Sequence, residues 1–600
     1  MKIALPDPTT PLRAGLLGTG AALFGVAGVS VLLGLAALVP WQALAPTPAA
    51  SGRVIDVESG LPIRDAIVTS GQFSTSSGQE GTFRLSGASL LGEIEASAPG
   101  YVPGVVRRQP FGTHTLNLTP REMMVSVRDL DGRPLDGVPP AMAGARVAQV
   151  APGTFALRPA SSELTLSLQT DAHKIVARDL AADGTVRVTL ASWHRGTVRD
   201  AATGAPIRGA RVVGESVTPV GADGAFELSR APTDGLTIIA AGYKPVKIAP
   251  GSPPPYDVRL DAHVARGLYL SFYGVAEKRL RDVALALVER GRINTLVIDV
   301  KGDRGLLAYP TNIELARKIG SAESPTVDDM AGLLSDLKQR GIYCIARLVV
   351  FKDDKLATNG EGAGKDVAVR DERDGGVWRD GEGLGWADPL RKDVWDYNAA
   401  IIREVAALGF DEIQLDYVRF PSDTTGGGSV DAARYAEPVD EARRIATISE
   451  FVSSMRQAAN QSGALLSIDI FGYVAWSEQD QGIGQTLEPL ADAADILSPM
   501  VYPSTFRSGL PGGVAYPTVV SRPYEVVALS LIRARERLGE RPAVLRPWLQ
   551  YFDDYPWQTG RPYTEADIAA QIQAAHDGGA TGWILWDPSN TYTRGVPGRP

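Results

Sequence analysis

Residues 410–421 read Phe410-Asp-Glu-Ile-Gln-Leu-Asp-Tyr-Val-Arg-Phe-Pro421. The alternation predicts a short strand that stops at a turn, with Ile413, Leu415 and Tyr417 on one face and Gln414 and Asp416 on the other. Helical patterns flank it, which places the strand in a parallel sheet covered by helices. The apolar face then packs on those helices. Asp416 must point the other way, because an unpaired carboxylate in an apolar layer is very costly. In a closed barrel that direction is inward, at the C-terminal mouth where βα barrels carry their chemistry. Taken alone, a strand-end aspartate could equally cap the following turn.

Outward from this stretch, strands alternate with amphipathic helices from residue 264 to 600. Eight strands can be counted, at 267–274, 295–301, 343–351, 412–419, 465–474, 496–502, 544–551 and 582–587. Helical patterns separate them at 277–290, 327–340, 394–408, 433–460, 524–538 and 565–577. The pattern predicts a C-terminal (β/α)8 TIM barrel with insertions. A doubly wound open sheet is the alternative, but no Gly-rich phosphate loop follows the first strand.

The same parity predicts a polar interior. Tyr269, Ser271, Tyr273, Asp299, Lys301, Arg347, Ser467, Asp469, Ser498, Tyr502, Arg546, Trp548, Gln550 and Asp587 fall on the inner face, each series ending near a strand C-terminus. A filled structural barrel would carry mainly Val, Ile and Leu there, so convergent polar and aromatic groups point to a carbohydrate cleft. Insertions at 302–326 and 352–389 lie on the same side. The second holds Trp378 and Trp386 among Gly and Asp, which reads as an exposed lid that stacks on sugar rings, or as a simple anchor for a long loop.

Four inward carboxylates are thus available: Asp299, Asp416, Asp469 and Asp587. Glycoside hydrolysis needs two, one to protonate the leaving oxygen and one to attack or to activate water. Asp416 and Asp469 end neighbouring strands and form the expected catalytic pair. Arg347 and Arg419 can hold one carboxylate ionised, while a neighbour in a drier setting keeps its proton. Asp299, Trp386, Tyr502, Trp548, Gln550, Trp586 and Asp587 complete the expected substrate-binding set. No His lies at a strand end, which disfavours Ser/His nucleophilic catalysis. The five His are scattered, and the single Cys344 rules out an intrachain disulfide and a Cys-based zinc cage. No cofactor and no metal site is expected, with a carboxylate-only Mg²⁺ or Ca²⁺ site as an alternative.

The first half differs in kind. Gly52-Arg-Val-Ile-Asp-Val-Glu-Ser-Gly-Leu-Pro-Ile-Arg64 matches Gly196-Thr-Val-Arg-Asp-Ala-Ala-Thr-Gly-Ala-Pro-Ile-Arg208. Gly81-Thr-Phe-Arg-Leu85 matches Gly224-Ala-Phe-Glu-Leu228, and a worn copy lies between them. Short alternating strands with Gly, Pro and Asp turns predict small antiparallel sandwiches. Before them, residues 14–39 carry no charge behind Lys2 and Arg13. That run predicts an N-terminal transmembrane helix, or a signal segment, with the bulk of the chain extracytoplasmic. The net charge of −9 gives no sign of a nucleic-acid partner.

Several motifs carry a family likeness. Asp416-Tyr-Val-Arg-Phe-Pro421, Ser498-Pro-Met-Val-Tyr-Pro-Ser504 and Arg546-Pro-Trp-Leu-Gln550 resemble a bacterial family of TIM-barrel glycoside hydrolases, as do Asp469-Ile-Phe-Gly472 and Trp583-Ile-Leu-Trp-Asp587. The resemblance covers about residues 265 to 595 and implies a barrel acting on polysaccharide. It departs at Tyr551, where the family pattern implies an acidic residue. The repeats resemble carboxypeptidase regulatory-like β-sandwich modules. The expected organisation is therefore an anchor and linker at 1–50, modules at 51–119, 120–191 and 192–262, and the barrel at 263–600. The expected function is a membrane-tethered glycoside hydrolase. The rivals are a non-catalytic polysaccharide-binding surface protein and a metal-dependent hydrolase on the same barrel.

Overall fold

The computed structural model describes residues 49–597 apart from 89, 161–165, 169–172, 193, 229–231, 253, 423–429 and 542. The charge-free run at 14–39 lies outside the described residues. No helix among the described residues is long and apolar enough to cross a membrane. The chain forms two compact units, one holding residues up to Val125 with 139–168 and 182–185, the other holding 126–138, 169–181 and everything from Val186 onward.

All eight expected barrel strands form. In order they are Ala265–Leu270, Thr295–Lys301, Tyr343–Val349, Glu412–Asp416, Leu465–Phe471, Ile496–Met500, Trp548–Gln550 and Gly582–Trp586. Each pairs in parallel with its neighbours, and the first pairs with the eighth, so the sheet closes. The seventh is broken: Val544–Leu545 pairs separately with the sixth strand. Pro547 between the two pieces has no N–H for the ladder. A short helix, Leu487–Ala493, fills the connection between strands five and six, where the sequence pattern showed none.

Two apolar sets divide the barrel. Leu268, Ile298, Ala346, Ile413, Leu415, Ile468, Leu497, Leu549 and Leu585 face outward into the layer of helices. Tyr269, Val297, Tyr343, Ile345, Tyr502, Trp548 and Ile584 gather inside. Low in the interior, Arg546 donates to Glu412 (Nη1 to Oε2, 3.0 Å), and the Tyr343 hydroxyl donates to the same Oε2 at 3.2 Å. His263 stacks on Tyr343 at 4.5 Å, and burial lowers its pKa to about 3, so it carries no charge there.

The first repeat is a sandwich of two four-stranded sheets around Val54, Val68, Phe83, Ile94 and Leu118. The last repeat packs a three-stranded sheet on a four-stranded one around Val198, Val212, Phe226, Ile238 and Val258. Neither is wholly antiparallel as the turn pattern implied. Residues 51–56 run parallel to 113–118, and Gly196–Asp200 runs parallel to Tyr256–Leu260. The repeated residues have repeated duties. Asp56 and Asp200 each accept two backbone N–H groups of the next turn, and Tyr101 and Tyr243 each donate to the matching aspartate at 3.1 Å. Gly52 and Gly196 are needed because a Cβ would strike the carbonyl of His114 or Tyr256 across that parallel pairing. The boundary between the compact units passes through the worn middle copy.

The last sandwich and the barrel belong to one unit. Val213 and Ile239 pack against Leu465 and Ile496, which begin strands five and six at the N-terminal end of the barrel. Arg211 Nη1 reaches Asp495 Oδ1 at 2.7 Å, and Asp495 also takes Arg456 (2.7 Å) and the Leu466 N–H (2.9 Å). A chain trimmed to begin at residue 261 should therefore melt well below one that begins at 192. Re-exposing Leu465 and Ile496 alone costs on the order of 3 kcal/mol. Equal denaturant midpoints for the two chains would show that the docking adds nothing to stability.

Candidate active site

Strand order sets the site. Asp299, Arg347, Asp416 and Asp469 come from strands two to five, which are consecutive around the barrel. Arg347 therefore lies between the carboxylates. Its Nη1 donates to Asp299 Oδ1 at 2.5 Å, and its Nε donates to Asp416 Oδ2 at 3.1 Å with Nη2 on the same oxygen. Asp469 Oδ2 is 4.0 Å from Nε. Because both oxygens are measured from one nitrogen, those of Asp416 and Asp469 are at most about 7 Å apart. Asp469 Oδ1 accepts from Trp548 Nε1 at 2.6 Å, and the Tyr269 hydroxyl donates to Asp299 Oδ2.

Burial divides these groups by charge. It raises the Asp469 pKa well above the usual carboxylate range, and the charge of Asp416 adds to the shift. It also raises Asp299, against the opposing pull of Arg347 and Tyr269. Burial works against the Arg347 cation too, but Asp299, Asp416 and Tyr269 outweigh it and the guanidinium stays charged. Asp416 is the most open of the three acids, 8% exposed against 4% for Asp299 and 1% for Asp469.

Aromatic rings wall the site. Tyr269 and Trp586 stack at 4.0 Å, and Arg347 lies 5.1 Å from the Trp586 ring. Trp548 meets Trp586 edge-on at 5.4 Å. A cavity of about 400 Å³ opens over them, bounded by Tyr269, Tyr273, Asp299, Arg347, Tyr417 and Trp586. Its size suits a small polar ligand. Tyr417 has φ 53°, the left-handed conformation, and its ring lines the cavity while still packing on the outer apolar core. The Asp416 carboxylate braces that turn by accepting the Tyr417 N–H at 2.6 Å. On the opposite side Asn590 takes the Ser271 N–H (2.9 Å) and hydroxyl (2.7 Å), tying the last loop to the first strand.

The expected residues fall into two groups. Asp299, Arg347, Asp416, Asp469, Trp548 and Trp586 meet in this cluster, and burial beside Asp469 and Asp416 raises the Tyr502 hydroxyl pKa. The others are placed elsewhere. Trp386 is 1% exposed, donates to Asp380 and lies under Arg419 at 4.8 Å, so it is the core of its loop and not an exposed stacking face. Trp378 is likewise buried. Arg419 donates to the Phe420 carbonyl and Ser422 hydroxyl at 3.1 Å each. Gln550 is spent on Ser504 and the Phe552 carbonyl. Asp587 accepts from Ser589 and Thr591, closing a turn; it shares the outward parity of Leu585, while Ile584 and Trp586 point in. Lys301 is turned out by a bulge after Asp299 and pairs with Asp353 at 2.7 Å. Tyr551, at the departure from the family pattern, is 2% exposed and takes the Arg594 N–H on its hydroxyl. Sequence reading missed the stacking partnership of Tyr269 with Trp586, although the inward parity of Tyr269 was visible. Among the described residues no group of three or more His, Cys, Asp or Glu is arranged to hold a metal ion, and a guanidinium occupies the space between the acids.

Residues 267–592 match a family model described as "Putative glycosyl hydrolase domain". The chain belongs to this glycosyl hydrolase family. A hypothetical protein from Ruminiclostridium thermocellum ATCC 27405 is 32% identical over 34% of this chain and 96% of its own, with a TM-score of 0.29. The PgaB (BpsB) glycoside hydrolase domain from Bordetella bronchiseptica is 14% identical over 56% of this chain and 99% of its own, with a TM-score of 0.40. TtGalA, an alpha-galactosidase from Thermus thermophilus, is 18% identical over 63% and 72%, with a TM-score of 0.32. No curated protein matches the chain. The glycosyl hydrolase domain is thus the barrel, and the acid cluster sits at the end where barrels do chemistry.

Arg347→Met removes the shared cation and leaves acids facing one another. Breaking a buried pair in this way costs about 3–5 kcal/mol. Asp299 and Asp469 have raised pKa values, so protonation relieves them: the deficit relative to wild type should be greatest near pH 7.5 and shrink towards pH 4.5. Urea melts of both proteins at the two pH values measure it, and a pH-independent deficit would contradict the electrostatic account.

Proposed function

We propose that this chain is an extracytoplasmic glycoside hydrolase that cleaves a polysaccharide by acid/base chemistry on two carboxylates. The observation that carries the proposal is Asp416 and Asp469 within about 7 Å of each other on one guanidinium, with burial pushing Asp469 towards its protonated form. Asp469 gives its proton to the glycosidic oxygen as the C–O bond breaks. Asp416, held by two N–H groups of Arg347, attacks the anomeric carbon or takes a proton from the attacking water. Separations near 5 Å favour the first route and 6.5–9.5 Å the second. Tyr269 and Trp586, both on the cavity wall, give the sugar apolar faces with Trp548 packed behind them, and the Tyr502 hydroxyl stays a hydrogen-bond donor. The extracytoplasmic placement rests on the charge-free run at 14–39 behind Lys2 and Arg13, which supports a membrane anchor.

A second acid candidate has its own observation. Asp299 lies on the cavity wall, and burial raises its pKa as well. The two assignments separate by experiment. Asp416→Asn keeps shape and should lower turnover at least a hundredfold, about 3 kcal/mol of transition-state stabilisation. Whichever of Asp469→Asn and Asp299→Asn removes the acid should be rescued by substrates with a good leaving group, which need little protonation.

The pH profile has a defined sign. A raised-pKa acid is active while protonated, so kcat/KM should fall as pH rises through that pKa, which lies above the ordinary aspartate range. Asp469→Asn should abolish this alkaline limb. Full turnover by folded Asp416→Asn, with a polysaccharide panel and product analysis, would remove the pair from the mechanism.

A further inference from the structure

A line of aromatic rings leaves the acid cluster and ends in solvent. Tyr502, beside Asp469 and Asp416, meets Phe552 edge-on at 5.7 Å. Phe552 meets Tyr555 at 5.7 Å, and Tyr555 stacks on Trp557 at 4.7 Å with 15° between the planes. Trp557 is 70% exposed. An exposed tryptophan on a mobile loop would carry little meaning, but this loop is braced. Asp554 takes the Thr559 N–H at 2.9 Å and donates its own N–H to the Arg561 carbonyl at 2.9 Å. Gln558 reaches the Ser504 carbonyl at 3.3 Å, and the Tyr563 hydroxyl reaches the Val520 carbonyl at 2.9 Å.

We propose that Trp557, backed by Tyr555, is a platform for a sugar ring of the same saccharide chain, several units from the bond that is cut. This inference rests on the hydrolase reading and names its substrate class: polymers and long oligosaccharides, cut within the chain. Three features commit the surface to that occupant. The ring is open on the side away from Tyr555. It is held at a set angle, so little freedom is lost when a pyranose C–H face settles on it. It connects ring to ring, through Phe552 and Tyr502, with the aromatic cluster that includes Tyr269 and Trp586 on the cavity wall.

The test uses full-length protein and four probes, the hexaoses of the cellulose, chitin, starch and mannan series, with their disaccharides as controls. Trp557→Ala should leave the melting temperature unchanged, because the side chain is exposed. At least one hexaose should bind wild type, and Trp557→Ala should weaken it about tenfold or more without changing disaccharide binding. Stacking on an aromatic ring is worth an amount of this order. Equal hexaose binding by variant and wild type overturns the platform, as does a failure of wild type to bind any of the four. Binding in the Asp416→Asn background separates the two readings. Trp557-dependent binding without turnover in any background keeps the platform and removes the hydrolase. Turnover on polymer that ignores Trp557 keeps the hydrolase and removes the platform.

Discussion

Asp299, Asp416 and Asp469 could not share the mouth of the barrel without Arg347. Two ionised carboxylates about 7 Å apart at an effective dielectric of about 20 repel by roughly 2 kcal/mol, and a third adds further pairs. One buried guanidinium balances one negative charge. The remaining acids must then hold protons, which is the direction that burial imposes on Asp469 and Asp299. The arginine thus offsets part of the repulsion within the cluster.

That arrangement depends on the closed parallel sheet. Arg347 stands on the strand between those of Asp299 and Asp416, and Asp469 stands on the next one round. Adjacent strands are about 4.8 Å apart, close enough for one fork-shaped side chain to reach both neighbours. The outward residues of the same strands pack on the helices, so the inward ones need not supply the main apolar core. The end of the fourth strand shows how tightly this is specified. Asp416 binds Arg347 through one oxygen and the Tyr417 N–H through the other, so the same carboxylate closes the turn and faces the site. Capping and chemistry, which the sequence left as alternatives for this residue, are combined.

Period-two alternation made the barrel and the inward acids on strands two, four and five legible, because each one-residue step reverses the face. The errors began where that rule stops. A bulge after Asp299 reverses Lys301, and Asp587 shares the outward parity of Leu585 while Ile584 and Trp586 point in. Trp386 departs from its expected exposure for another reason: a polar, Gly-rich loop can still bury an aromatic ring if it folds on itself, as the Asp380 hydrogen bond and the Arg419 contact show. The repeats were plain because Gly52 and Gly196 have backbone carbonyls where a Cβ would go. The parallel pairing across those glycines was not, since local turn signals describe hairpins and the partners are some sixty residues apart.

The barrel interior carries two charged layers, and their difference separates structure from chemistry. The lower layer pairs one acid, Glu412, with one base, Arg546, while His263 above Tyr343 is neutral. Its charges cancel within the protein, and none remains for a ligand. The upper layer has the same kind of arginine but three acids. It does not cancel by pairing alone, and burial moves Asp469 and Asp299 towards protonation. Gln414, bonded to Ser498 at 3.0 Å, lies on the fourth strand between Glu412 and Asp416 and separates the layers with neutral groups. The acid excess thus lies at the C-terminal end, beside the aromatic rings of the interior. At the N-terminal end, by contrast, Asp495 is shared by Arg211 of the last sandwich and Arg456, so that carboxylate does not lack a cation of its own.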